Sequence, residues 1–137
     1  MDFETYMTNS LSALLKKNEH LQLAFCGKLH TGSIARPHEY YCFFGLVGND
    51  LLIVNYSPLL KKNGFSVRLP LNTNKVEITK SILSDKFILN FQLNSTDWQT
   101  LEKFKIGVKS EHSKIKSQRE NVTAFLSYIE KRVNPTP

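Results

Sequence analysis

The chain reads as mainly β with α: seven antiparallel strands forming a barrel or sandwich, capped by a C-terminal helix and preceded by an N-terminal one. Three observations carry this expectation. From Leu21 to Leu93 the apolar residues recur with a period of two, the pattern of half-buried strands. The connections between these segments are short, whereas a parallel crossover takes about a dozen residues or more. Finally, Val122, Phe125, Leu126, Ile129 and Val133 fall at spacings of three and four, one apolar helical face. A β chain ending in such a helix must lay that face over an opening in its sheets.

Taken in order, Asp2 to Lys17 predicts a helix whose stripe is Phe3, Met7, Leu11 and Leu14, widened by Tyr6 and Leu15. Asp2 and Glu4 at its start and Lys16 and Lys17 at its end suit the helix dipole. This helix is expected to pack on the outside of the domain or against another copy. Leu21, Leu23, Phe25 and Leu29 begin the first strand, and a polar connection with Gly32, Ser33 and Pro37 leads to Glu39–Val47, rich in aromatics. Gly48-Asn49-Asp50 supplies a hairpin turn into Leu51–Tyr56. After the loop 57–64, Phe65, Val67, Leu69 and Leu71 alternate, then Val76, Ile78 and Ile82, then Phe87, Leu89, Phe91 and Leu93, with polar turns at 72–74 and 84–85. A further turn at 94–97 enters the last strand, Trp98 to Val108. Ser117 and Glu120 have capping-box spacing, so the final helix should start at Ser117, and Pro135 ends it near Val133.

A length of 137 residues suits one domain with a real core. With 41% hydrophobic and 22% charged residues the composition is that of a folded globular chain. No apolar run approaches the roughly 20 residues of a membrane-spanning helix, and an N-terminus holding Asp2 and Glu4 has no apolar leader, which predicts a cytoplasmic address. Two cysteines do not make a disulfide scaffold. The net charge of +6 is concentrated. Lys103, Lys105, Lys109, Lys114, Lys116 and Arg119 face Glu111 alone within 103–119, while the rest of the chain is nearly balanced. Such a segment either attracts anions or keeps an edge and a loop soluble.

Cys26-x3-His30 and His38-x3-Cys42 are symmetric about Ile34 and of zinc-ligand type. In a hairpin turning at Ile34, Cys26 would face Cys42 and His30 would face His38. Four residues along a strand span about 13 Å, whereas zinc ligands converge at about 2.0–2.3 Å from the ion, so no metal is expected. Cys26 and Cys42 are instead expected to be buried packing residues near one another. There is no nucleophile elbow, phosphate-cradling glycine loop or carboxylate pair, and Asp50, Asp85 and Asp97 fall at turns. No catalytic residue and no cofactor are expected. Tyr40, Tyr41, Phe43 and Phe44 fill both faces of one strand, which favours core over a nucleic-acid stacking surface.

Two stretches carry a family likeness. Gly48-Asn49-Asp50-Leu51-Leu52-Ile53-Val54, followed after a loop by Val67-Arg68-Leu69-Pro70-Leu71, and the closing Phe125-Leu126-Ser127-Tyr128-Ile129 resemble bacterial pleckstrin-homology-like (PH-like) domains. The resemblance covers about residues 20–132. It implies an N-terminal helix over 1–18 and a PH-like domain over 19–133, together a single domain. It also implies a bent barrel plugged by its last helix, with ligands meeting the loops at the open end. In relatives that bind phosphoinositides, basic residues surround the first hairpin. The matching positions here are Lys28 and Arg36, with Lys61, Lys62 and Arg68 nearby, but Pro37-His38 follows Arg36 where a second arginine belongs to the pattern.

The leading expectation is therefore a non-catalytic binding module that contacts a protein partner or forms a homo-oligomer. The alternative is an anionic-surface binder, for lipid or nucleic acid, using the basic 103–119 segment with Lys109, Lys114 and Lys116, or the Lys61-Lys62 loop. A small enzyme ranks third.

Overall fold

A computed structural model describes residues 2–32, 35–57, 64–71, 75–81, 85–92 and 103–133. The elements are α1 (Phe3–Ser12), β1 (Leu23–Gly32), β2 (Pro37–Val47), β3 (Asp50–Asn55), β4 (Ser66–Pro70), β5 (Lys75–Lys80), β6 (Lys86–Gln92), β7 (Lys103–Lys109) and α2 (Gln118–Tyr128), which runs into a π-helical turn at Ile129–Val133. All seven strands are antiparallel in one sheet, ordered β4-β3-β2-β1-β7-β6-β5.

The sheet coils around a single interior. Phe25, Leu29, Phe44, Leu51 and Ile53 from one half meet Leu89, Phe91, Phe104 and Ile106 from the other, and Leu69 of β4 and Val76 of β5 join the same cluster. The helix α2 fills the remaining opening with Val122, Phe125 and Ile129, all at most 1% exposed. Phe125 lies 4.9 Å from Phe25, ring centre to ring centre. Each of these large side chains contributes roughly 1.5–3 kcal/mol by leaving water. At the far end of α2, the Tyr128 hydroxyl donates to Asn49 Oδ1 at 2.7 Å, tying the helix to the two-residue β2–β3 turn, where Gly48 has φ 60.

A second cluster lies on the outside of the sheet. Ala24, Cys26, Phe43, Leu52, Val54 and Tyr56 point away from the barrel interior and are covered by Met7 and Leu11 of α1 and by Ile115. The two adjacent phenylalanines of β2 therefore serve different cores: Phe44 points in, Phe43 out, and both are fully buried. Among the described residues, Tyr41 is the one large hydrophobic side chain that is exposed, at 47%.

Several local expectations are corrected. The first helix ends at Ser12, because Ala13–Leu15 tighten into turns and Glu19 Oε1 accepts the Lys16 N–H at 2.7 Å. Asp2 caps its start by accepting the Thr5 N–H at 2.7 Å. The last helix does not form a capping box. Ser117 Oγ donates instead to Glu4 Oε1 of α1 at 2.6 Å, and the Ser117 N–H reaches the same oxygen. A residue over one hundred positions away thus satisfies the helix start. The β1–β2 register pairs Cys26 with Phe43, Gly27 with Cys42 and His30 with Glu39. This is one residue from the symmetric pairing, and a slip of one exchanges faces. Cys26 consequently lies in the outer cluster and Cys42 in the inner. Strand β7 begins at Lys103; Trp98, Ile82, Leu93 and the turns at 72–74 and 94–97 lie outside the described residues.

Arg68 on β4 holds the segment before β1 against the sheet. Its Nε donates to Asp50 Oδ2 at 2.8 Å, and its two terminal nitrogens clasp the Glu19 carboxylate. The fork suits a planar guanidinium. The Arg68 hydrogen bonds hold the Glu19 carboxyl down at about 2. A depressed carboxyl stabilises the fold above its unfolded value, near 4.5, and that contribution is lost as pH falls through the folded one. Urea titrations between pH 5 and about pH 2 should show stability falling with acid, and falling less steeply in Glu19→Gln. Equal slopes in the two proteins would contradict this assignment.

Candidate functional site

The site is set by a seam between β1 and β7. These strands are paired only from Lys28–Gly107 to His30–Lys105. Two residues further the same register would place Cys26 opposite Lys109, but the side chain of Gln118 stands there instead. The Cys26 N–H donates to Gln118 Oε1 at 3.1 Å, while Gln118 Nε2 donates to the Cys26 carbonyl at 2.9 Å and to the Lys109 carbonyl at 3.0 Å. A primary amide presents a donor and an acceptor side by side, as a peptide edge does, so one side chain replaces a ladder rung. Asn121, one turn on, donates to the Ala24 carbonyl at 2.7 Å. Gln118 is 1% exposed, and no buried side-chain polar atom among the described residues is left without a partner.

Below the amide the backbones press together. A Cβ on Gly27 would sit 2.7 Å from the Gly107 carbonyl oxygen, and one on Gly107 would sit 3.2 Å from Lys86 Cε and 3.3 Å from His30 Nε2. Bare backbone at this point leaves a cavity of about 200 Å³ on the outer face of the sheet. Gly27, Gly107 and Gln118 form its base, Lys28, Lys86 and Lys109 stand around it, and Tyr41, Tyr56 and His112 wall the side toward α1. The wall is braced by aromatic packing. His112 stacks flat on Phe3 of α1 at 5.3 Å, and Phe3 meets Tyr56 edge-on at 5.4 Å.

The charges around this cavity are unequal in kind. Lys28 Nζ is paired with Glu39 at 2.7 Å and lies over the Tyr41 ring at 5.1 Å. Glu111 is held by Arg119. Lys86, Lys105 and Lys109 make no ion pair among the described residues. The nearby protonatable groups are shifted by burial. Burial raises the Cys26 thiol to about 11, and its Sγ lies 3.2 Å from the Tyr56 hydroxyl. Burial likewise raises Tyr56 above the ordinary phenol range. His112 is lowered by burial and by Lys114, and its Nδ1 accepts the Lys114 N–H at 3.0 Å. His30 is lowered by burial, with Lys86, Lys28 and Lys105 adding to the effect against Glu39. A thiol this basic is not a thiolate at neutral pH.

The residues singled out in the sequence separate into groups. Lys28 and Lys109 come together at the cavity. Lys114 and Lys116 lie exposed on the connection from β7 to α2, Lys114 5.7 Å from the Phe3 ring centre. Arg36 is exposed just before β2, and Arg68 is engaged in the network with Glu19 and Asp50. Lys61 and Lys62 lie outside the described residues. Sequence reasoning missed Lys86, Gly107 and Gln118. Gln118 carried a signal: with Val122, Phe125 and Ile129 it continues the buried stripe of α2, a polar residue in a core position. Gly107 interrupts an apolar strand, which marks a close backbone approach.

Replacing Gln118 by Leu leaves the Cys26 N–H and two carbonyls without their partner. Unpaired buried groups cost about 1–3 kcal/mol each when no water reaches them, so Gln118→Leu should lower the unfolding free energy by about 2–4 kcal/mol. Chemical denaturation measures this, and a loss under about 1 kcal/mol would contradict the rung.

No family model and no curated protein sequence matches this chain. Solved structures do. The chain is similar to the hSac2 domain from human phosphoinositide phosphatase Sac2, with a TM-score of 0.54 at 10% identity over 91% of this chain and 76% of that one. It is also similar to the pleckstrin homology domain of USP37, with a TM-score of 0.41 at 16% identity over 79% of this chain and 96% of that one. At such identities the likeness concerns fold alone. The architecture is a coiled seven-stranded antiparallel sheet with an N-terminal helix outside it and a C-terminal helix plugging it, the arrangement of elements expected from the sequence.

Proposed function

We propose that this chain is a non-catalytic binding module that docks on an anionic lipid surface through the outer face of β1, β7 and β6. The observation that carries the reading is the gathering of Lys28, Lys86, Lys105 and Lys109 from three strands onto one uncovered face, with Lys114 and Lys116 on the adjoining connection. The basic 103–119 segment supplies four of these six, so the charge concentration has a shape as well as a count. Binding rather than catalysis is supported by the Cys26 thiol, which burial holds protonated. Among the described residues no helix is long and apolar enough to cross a membrane, so the attachment proposed is peripheral. Nucleic acid is the weaker anionic ligand, because Phe43 and Phe44 are buried and Tyr40 packs on Phe65, leaving Tyr41 of the β2 aromatics as the exposed ring.

A second reading, a protein partner or a further copy of the chain, is favoured by the sheet edges: among the described residues no ladder joins β4 to β5. An added strand would satisfy such an edge. Light scattering tests it, a strict monomer counting against self-association.

Juxtamembrane lysines contribute roughly 1 kcal/mol each at an anionic surface. Changing Lys109, Lys114 and Lys116 together to Gln should therefore weaken sedimentation with vesicles of phosphatidylcholine and phosphatidylserine by on the order of a hundredfold. Wild-type binding should also fall as salt is raised. Wild-type protein that fails to sediment at low salt, or a triple variant that sediments unchanged, would contradict the proposal.

A further inference from the structure

We infer that the cavity at the β1–β7 seam is a binding site for one phosphate monoester group, a discrete site within the basic face rather than diffuse attraction to it. The inference rests on the anionic-surface reading and specifies its ligand. Its basis is an electrostatic cost in the sheet. Lys86 and Lys109 are directly opposite one another on β6 and β7, on the outer face, and neither has an acidic partner among the described residues. Like charges in directly opposed positions destabilise an antiparallel pair. Here they stand at the rim of a cavity, and a third lysine, Lys28, faces it from β1, opposite Gly107. An anion seated between them would turn that repulsion into charge-assisted hydrogen bonding.

The shape narrows the ligand. Gly107 occupies the outward position between Lys105 and Lys109 and brings no side chain of its own to the base, where Lys86 Cε and His30 Nε2 lie 3.2 and 3.3 Å from the place a Cβ would take. The cavity of about 200 Å³ has room for a phosphate group and the first atoms attached to it. Tyr41, exposed at the rim, offers a ring edge and a hydroxyl to whatever the phosphate carries. A dianion with several acceptor oxygens matches the opposed Lys86 and Lys109, with Lys28 at the side, better than a single carboxylate, which presents two oxygens and one charge. Of the nearby carboxylates, Glu111 is turned to Arg119 and so leaves Lys86 and Lys109 available, while Glu39 holds Lys28 at 2.7 Å and would share that lysine with the anion. The site lies on the outer wall of the barrel, away from the β1–β2 connection that carries Arg36.

The test is a titration of wild-type protein with inorganic phosphate, followed by amide NMR at ionic strength held constant with chloride. Saturable shifts centred on Gly27, Lys28, Gly107 and Gln118 are expected. In Gly107→Val, which fills the base without altering charge and suits a strand, affinity should drop by about tenfold or more, with the fold checked by circular dichroism. In Lys86→Gln the phosphate affinity should fall similarly, while the thermal midpoint without phosphate rises, because the opposed like charges are gone. Non-saturating shifts spread over Lys114 and Lys116, or phosphate affinity unchanged in Gly107→Val, would overturn the site. Wild-type sedimentation with phosphatidylserine vesicles but no saturable phosphate shifts would overturn the pocket and leave the basic face. Glycerol 3-phosphate and phosphatidic acid vesicles then separate the sources. Saturable binding to the first alone assigns a soluble ester, binding to the second at lower phosphate concentration assigns a lipid headgroup, and binding to neither overturns the inference.

Discussion

A single side-chain amide holds the seam on which the rest of this molecule depends. Strands β1 and β7 join the two halves of the coiled sheet, but their ladder is short. Where it stops, the backbone of Cys26 would face an apolar interior on one side and the start of α2 on the other. Gln118 takes up its N–H and its carbonyl and reaches across to Lys109, so three elements meet at one buried group. Buried polar groups cost most when partly satisfied and specify geometry when fully satisfied. That condition fixes the angle at which α2 enters, and hence which of its residues plug the barrel.

The outer face of the sheet is divided in two. Over β1, β2 and β3 it is apolar and covered by α1, with Phe43 stacked on Tyr56 at 4.1 Å and both touched by Phe3. Over β7 and β6 it is basic and uncovered. The boundary is the row of Tyr41, Tyr56 and His112, and it is held from both sides: Phe3 stacks on His112, and Glu4 of the same helix takes the Ser117 hydroxyl at the start of α2. The N-terminal helix thus shapes the cavity wall without contributing a charge to its interior. The seam that Gln118 holds open is the base of the same cavity, so one constraint serves both the fold and the site.

Much of the fold was legible because it rests on patterning. Strand alternation through Phe87, Leu89 and Phe91 and the stripe from Val122 to Ile129 report burial directly, and both elements formed where the pattern lies. Register was not legible, since a turn between β1 and β2 permits two pairings that differ by one residue, and only packing chooses between them. The choice moved Cys26 and Cys42 to opposite faces. The Ser117–Glu120 spacing misled for a related reason: a distant carboxylate, Glu4, competed successfully for the hydroxyl a capping box would have used. The site was half legible. Lys109 stood out by local charge density, whereas Lys86 belongs to it only through the β6–β7 pairing, which no local count contains.

The most direct measurement of the central constraint is hydrogen exchange at the Cys26 amide. No strand pairs with β1 on that side at this position, so an ordinary frayed ladder end would exchange through small local openings. If Gln118 replaces the rung, the Cys26 amide should be as protected as those of the inner ladder at Lys28 and His30, opening only with global unfolding. Exchange at the rate of an unpaired edge amide would contradict the account.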